Sequence, residues 1–312
     1  MAEVGPAPEF AEYYKLINAG GNHYDIGRKM TDAFTPALHS RLSSPPDGVI
    51  LENAMKSAEL TFELHPVLKD ELQGISEGIS IDFEAILCEI SDTFSPATPA
   101  ATIIAKKESS LLIGRNFSTT PGTIVRNMLR LDPNDAYASL GRMGGYFGGT
   151  FESIGVYGIY ASAEITERNQ VAVTGTASYM IPRIITESSK DLQSALSKLR
   201  TLKPMHRSLF IVADSSAVYT ARWNGSSFDV QEIVSFPVLI VKGKVNAVAS
   251  KMELEDIRKM LSDHDSGFCL HDPGSETIYS LVTDMASEKV EYTAGSPCKS
   301  PYTSVDWPGG YG

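Results

Sequence analysis

The sequence predicts an α+β fold, with helices first and paired strands after. Three observations carry this. Before residue 99 apolar residues recur at three- and four-residue spacings, the period of a half-buried helix. From residue 100 the pattern changes to short β-branched and aromatic runs divided by turn residues. Two of those runs are joined by Asn224-Gly225, a hairpin signal of the primed-turn type.

Residues 1–99 read as a helical N-terminal region and 100–312 as the core of one structural domain. After an extended, Pro-containing leader, Ala54, Ala58, Leu60, Leu64, Val67, Leu68 and Leu72 mark helix, and Phe83, Ile86, Leu87 and Ile90 mark another. Gly74 to Ile79 should break the pattern where two helices meet, and Ser95-Pro96-Ala97-Thr98-Pro99 should close the region. Residues 102–106 and 111–117 then form two strands around the turn Glu108-Ser109-Ser110. Residues 119–150 read as loops, and strand-like runs follow at 153–162, 170–176, 209–214, 217–223, 227–234, 276–284 and 289–293. Helices interrupt them near Leu192, Ala195, Leu196 and Leu199, and at 252–261.

Lys and Arg number 27 against 38 Asp and Glu, and the longest basic runs are pairs such as Lys106-Lys107, so nucleic acid is not an expected partner. With 42% hydrophobic and 21% charged residues the chain is expected to fold as a soluble protein. No apolar stretch approaches the roughly 18 residues of a membrane span, since even 236–241 ends at Lys242, and no membrane is expected. Residues 1–10 lack a basic n-region, and Cys88, Cys269 and Cys298 are odd in number and far apart. A reducing cytoplasm with free thiols is therefore the expected setting.

Isolated motifs lead less far. Gly74-Ile75-Ser76-Glu77-Gly78 fits G-x-S-x-G, but that nucleophile elbow needs a preceding strand, and here a helical pattern precedes it. His264, Asp265, Cys269, His271 and Asp272 are ligand types, yet their spacing fits no zinc pattern, so neither metal nor organic cofactor is expected. The glycines at 144–149 lack G-x-G-x-x-G spacing and read as a flexible turn.

The order of several segments says more. Gly21-Asn22-His23-Tyr24-Asp25-Ile26-Gly27 resembles G-x-x-Y-E-I-G, and the segment from Pro66 through Glu71 to Gly78 resembles P-x-x-x-E-E-x-x-G-I-A-x-G. Residues 111–117 are similar to a strand ending in G-R-N, 210–214 to a strand ending in Asp, and 267–271 to an I-C-R-H segment. Residues 280–284 and Gly295-Ser296-Pro297-Cys298 are similar to a closing strand and a G-x-P-C turn. In this order they resemble the acyl-coenzyme A:6-aminopenicillanate acyltransferase-like peptidase family, from about residue 20 to about residue 300.

That resemblance implies the four-layer αββα sandwich of N-terminal nucleophile hydrolases, with residues 1–99 as the propeptide equivalent. Such precursors cut themselves before a Cys, Ser or Thr, whose freed α-amine, with a pKa of about 7.7–8.0, then serves as its base. Aligning the strand at Thr102 places the family's Cys at Ala100, or at Ala101 with a one-residue slip. Arg115 and Asn116 match the family. Ser118 stands where it has Asp and Leu270 where it has Arg, the turn Gly155-Val156-Tyr157-Gly158 lacks its Asn, and Asn246 is a loose counterpart of another. An engineered Cys-to-Ala change would account for Ala100 but not for Ser118 or Leu270.

Three readings follow. In the first the chain is a silent relative that keeps a cleft for a small acyl-amide-like ligand or a partner chain. The second makes it an amide hydrolase or acyltransferase with Thr102 as nucleophile after cleavage before it, Arg115 steadying that end and loops at 119–150 shaping the pocket. The third is an unrelated α+β interaction protein. Homo-oligomerisation through exposed helical faces is compatible with each.

Overall fold

The computed structural model describes residues 16–33, 48–91, 100–119, 127–143, 147–170, 174–241, 244–247, 251–272 and 275–309. The leader at 1–10 and the closing segment at 95–99 lie outside the described residues. At the centre is the hairpin of β2 (Ala100–Lys107) and β3 (Ser110–Thr119), antiparallel around Glu108-Ser109, with Thr102 opposite Arg115 and Ala100 opposite Phe117. Its side chains alternate between two environments. Ile104, Leu111, Ile113 and Phe117 enter one core, whereas Ala101, Ile103, Ala105 and Leu112 enter another.

This hairpin belongs to a sheet ordered β12-β11-β2-β3-β14-β15-β16, with β13 beside β14. The other members are β11 (Val238–Val241), β12 (Lys244–Ala247), β13 (His271–Asp272), β14 (Ser275–Asp284), β15 (Lys289–Thr293) and β16 (Tyr302–Val305). A second sheet runs β1 (Leu16–Gly21), β4 (Met128–Pro133), β5 (Ser139–Met143), β6 (Thr150–Gly155), β7 (Tyr160–Gln170), β8 (His206–Ala213), β9 (Val218–Trp223) and β10 (Phe228–Glu232). Its pairings are antiparallel except β1 with β4.

The two sheets face each other across one core, in which Ile104 and Phe117 meet Leu140, Phe151, Tyr160 and Ile211. On the outer side of the second sheet lie α1 (His23–Met30), α2 (Gly48–Leu64), α3 (Val67–Ile79) and α4 (Phe83–Ser91), packed with Leu129 and Leu131. Beside them α5 (Ile181–Ser188) and α6 (Leu192–Thr201) cover Ala161, Phe210 and Val212. Helix α7 (Leu254–Leu261) covers the outer face of the hairpin sheet through Ile257 and Leu261. The result is the expected α+β fold in four layers, αββα.

Several local expectations are corrected. The N-terminal region contributes a strand, β1, as well as helices. Residues 119–150 are not loop throughout, since they contain β4 and β5, while 120–126 and 144–146 lie outside the described residues. The run at 170–176 ends its strand at Gln170, and Thr176 makes only an isolated bridge to Pro204, with 171–173 outside the described residues. The turn between β9 and β10 centres on Gly225-Ser226. Gly225 alone takes a positive φ, 105°, while Asn224 sits before it with its side-chain oxygen accepting from the Ser226 and Ser227 amides.

Gly74 and Gly78 do not break a helix; both lie inside α3. A Cβ on Gly74 would stand 2.1 Å from the Tyr24 carbonyl oxygen, and one on Gly27 would stand 2.0 Å from that of Glu71. Glycine is needed there because α1 and α3 cross backbone to backbone. The segment mimicking a nucleophile elbow is this crossing, and the Ser76 hydroxyl donates to the Ile81 carbonyl at 2.6 Å.

Candidate active site

The alternation of β2 and β3 decides which expected site residues meet. Thr102 and Arg115, cross-strand partners, both point between the sheets and are about 1% exposed. Arg115 Nη1 lies 3.5 Å from Thr102 Oγ1, its Nη2 donates to the Ala163 carbonyl at 2.7 Å, and its Nε is 3.1 Å from Glu152 Oε2. Ala100, 2% exposed, lies on the same face opposite Phe117. Over that ring, 3.6 Å from its centroid, sits the Arg142 guanidinium, whose Nε is 3.9 Å from Glu152 Oε1.

Burial pushes the Glu152 carboxyl up, against the pull of Arg115 and Arg142. Burial also pushes the Tyr160 phenol up to about 12, keeping it protonated at neutral pH. The strand expected from Ser153 leaves out Glu152, and buried Arg142 reads as a polar interruption. The stretch TFESIG at 150–155 is buried throughout and carries no apolar alternation, so the sequence holds no local signal for Glu152.

Asn116 and Ser118 lie on the opposite face. The Asn116 amide donates to the carbonyls of Leu261 and Phe268 at 2.7 and 2.8 Å, tying β3 to the end of α7 and the loop after it. The Ser118 hydroxyl is 2.8 Å from that of Thr277 on β14. The structure therefore brings Ala100, Thr102 and Arg115 together and separates them from Asn116 and Ser118. Asn246 is exposed in β12, and Tyr157 is exposed in the turn that leads into β7.

A second buried polar centre underlies the resembling segments at residues 21–27 and 66–78. Arg183 on α5 donates to both Glu71 oxygens, at 2.6 and 2.5 Å, to Glu187 at 2.6 Å and to the Gly148 carbonyl at 2.7 Å. Gly148 takes a φ of 67°, and a Cβ there would stand 2.2 Å from Glu71 Oε1. Thus the described residues 147–149 cap a buried ion pair, in place of the flexible turn expected; 144–146 lie outside the described residues.

Glu187 also accepts from Ser139 at 2.9 Å and approaches His65 Nε2 at 3.3 Å and His23 Nε2 at 3.8 Å, while His23 Nδ1 meets Asp135 at 2.6 Å. Burial would lower the pKa of His23, but the carboxylates of Glu187 and Glu71 outweigh it and hold the value above 6.5. Burial likewise opposes ionisation of Glu187, yet Arg183 and the two imidazoles hold it well below the usual carboxylate range. With a guanidinium already neutralising it, this centre is an ion-pair lock between α1, α3 and α5.

The cysteine and histidine cluster is also assembled by the fold, with a partner the spacing did not supply. Cys298, from the turn after β15, lies 3.4 Å from Cys269 Sγ and 3.1 Å from His271 Nε2; Cys269 and His271 are 3.5 Å apart. Burial, with the adjoining Cys298, pushes the Cys269 thiol up to about 12. As a free thiol it is therefore a poor nucleophile at neutral pH.

Residues 105–232 match the model describing the acyl-coenzyme A:6-aminopenicillanic acid acyl-transferase family. No curated protein matches the chain in sequence. Among solved structures it is similar to a variant of the conjugated bile acid hydrolase of Clostridium perfringens, with a TM-score of 0.44 and 7% identity over 66% of this chain and 92% of that one. It is also similar to the Caenorhabditis elegans ortholog of N-acylethanolamine-hydrolyzing acid amidase, with a TM-score of 0.37 and 12% identity over 59% of this chain and 92% of that one. The family match takes in the strand of Arg115 and Asn116 and, in the second sheet, β4 through β10, including the strand of Glu152, but not β1. Over this segment, less than half of the chain, it is similar to the acyl-coenzyme A:6-aminopenicillanic acid acyl-transferase family.

Proposed function

We propose that this chain is a catalytically silent relative of the acyl-transferring hydrolases, keeping their fold to bind a small acyl-amide-like ligand or a partner chain. The observation that carries the reading is the state of the strand start. Ala100, at the expected nucleophile position, has no side-chain heteroatom, and the hydroxyl two residues on, that of Thr102, is about 1% exposed. Thr102 is also held on both sides, by Arg115 of β3 and Ile240 of β11, and Ala101 before it pairs with Asn116 and Val241. Cleavage before Thr102 would have to cut inside an ordered ladder, and acyl transfer would need room that Phe117 and Arg142 fill beside Ala100.

A competing reading makes the chain an amide hydrolase or acyltransferase with Thr102 as N-terminal nucleophile. It is favoured by Arg115 Nη1 lying 3.5 Å from Thr102 Oγ1, a cation poised beside a hydroxyl. The intact mass of freshly purified protein, with the N-terminal residue of every chain, separates the two. One unbroken chain is expected, as is a Thr102→Ala variant that equals the parent on a panel of acyl amides and thioesters. Two chains divided before Thr102, or turnover lost in that variant, would overturn the silent reading.

A further inference from the structure

We infer that His264, Cys269, His271 and Cys298 form a four-ligand site for a zinc ion, closing one end of the hairpin sheet. Each residue offers one ligand atom, and all four atoms lie within 4.8 Å of one another. Tetrahedral zinc, with Zn–S of about 2.3 Å and Zn–N of about 2.0–2.1 Å, needs S···S edges of about 3.8 Å and S···N edges of about 3.6 Å. The separations of 3.4 Å between the sulfurs and of 3.5 and 3.1 Å from sulfur to His271 Nε2 lie about 0.1–0.5 Å inside those edges, so the ligands would move apart slightly to seat the ion. The His264 and His271 rings meet edge to face at 5.0 Å, placing the fourth ligand beside the third. Two thiolates would neutralise a divalent ion, and two imidazoles complete a closed, structural donor set with no position left for a substrate.

A disulfide is the competing use of the two cysteines. It would require the sulfurs to close to about 2.05 Å and would leave the imidazoles without a role. Both cysteines are free thiols here.

The ligands are held by the backbone around them. Asp263 carboxylate oxygens accept from the Asp265 and Ser266 amides, Gly267 N donates to the His264 carbonyl, and Cys269 N donates to the Asp263 carbonyl. Thr277 Oγ1 on β14 accepts from Leu270 N at 2.8 Å, fixing the residue between Cys269 and His271. On the Cys298 side, the Lys299 and Ser300 amides bond the Ser296 carbonyl, whose residue donates its hydroxyl to the Thr277 carbonyl at 2.5 Å. Three ligands thus come from the connection between α7 and β14 and the fourth from the connection between β15 and β16. An ion would staple the two. The same loop supplies the Phe268 carbonyl that holds Asn116, so the staple would brace the outer side of the hairpin bearing Thr102 and Arg115.

The test is metal content of the full chain purified under reducing conditions, then stripped and titrated with zinc or cobalt. The expected result is one zinc per chain and, on cobalt loading, sulfur-to-metal charge-transfer bands with tetrahedral d–d bands. Cys298→Ser and His271→Ala should each bind zinc at least tenfold more weakly, and Cys88→Ser, altering a buried cysteine of α4, should bind as the parent does. Circular dichroism of the stripped variants separates loss of a ligand from loss of fold, and added zinc should raise the melting temperature of the parent but not of Cys298→Ser. No uptake by the stripped parent, equal uptake by Cys298→Ser, or a Cys269–Cys298 disulfide in reduced, zinc-treated protein would overturn the site.

Discussion

At the level of single residues, the chain keeps two kinds of buried charge, and they behave differently with pH. Glu152, pushed up by burial, is only partly compensated by Arg115 and Arg142. Glu187, pulled down by Arg183, is fully committed to its ion pairs. His23, raised above 6.5, contributes stability that is complete below that unfolded value and is lost as pH rises through its folded pKa. Glu187, lowered from 4.5, contributes stability that is present above that unfolded value and is lost as pH falls through its folded pKa. The lock between α1, α3 and α5 is therefore at full strength between about pH 4.5 and pH 6.5. Urea midpoints across that window and up to about pH 8 should fall on the alkaline side for the parent. For His23→Gln the midpoint should start lower and lose that alkaline slope; an unchanged slope would mean His23 does not titrate in the lock.

At the level of elements, the crossing of α1 and α3 rests on Gly27 and Gly74. Gly27→Ala or Gly74→Ala must drive apart two backbones already in contact, and each should cost about 1–3 kcal/mol in urea denaturation. Gly48→Ala is the control, since a Cβ there meets nothing within 4 Å at the start of α2; it should be neutral or slightly stabilising. An equal loss at all three positions would refute the close crossing. This element also shows where the sequence was legible. The hairpin of β2 and β3 and the strand at Lys289–Thr293 are plain, because short apolar runs, continuous at 103–105 and 111–113 and alternating at 289–293, bounded by turn residues are local signals. In sequence Gly74 reads as a break because a helix-breaking glycine and a close-approach glycine look the same until the other helix is in place. Strands β4 and β5 were hidden because Arg130, Arg142 and Gly141 interrupt their apolar pattern, although both arginines are buried. In the site, Arg115 and Thr102 were legible as a register pair. Cys298 was not, because 26 residues separate it from His271 and only the sheet brings them together.

At the level of the whole molecule, β1 is an edge strand joined in parallel to β4, and it links the N-terminal helices to a sheet otherwise built from residues 128–232. Removing residues 1–21 would uncover the β4 edge and take Ile17 and Ala19 from the core beneath α1. An uncovered edge of this kind pairs with other chains. The shortened protein should scatter light and melt lower than the parent; a monodisperse product with unchanged melting would show that β1 is dispensable. Among the described residues no helix is long and apolar enough to cross a membrane. The same strand bears on how backbone scission could be seen at all. Were the chain nicked just before Thr102, the front fragment would stay clasped to the rear one, β1 in the sheet and the helices against Leu129 and Leu131. The nicked particle would co-elute with the intact one on a sizing column, and its two fragments would separate only in denaturant, so retention volume carries no information on whether the backbone is continuous.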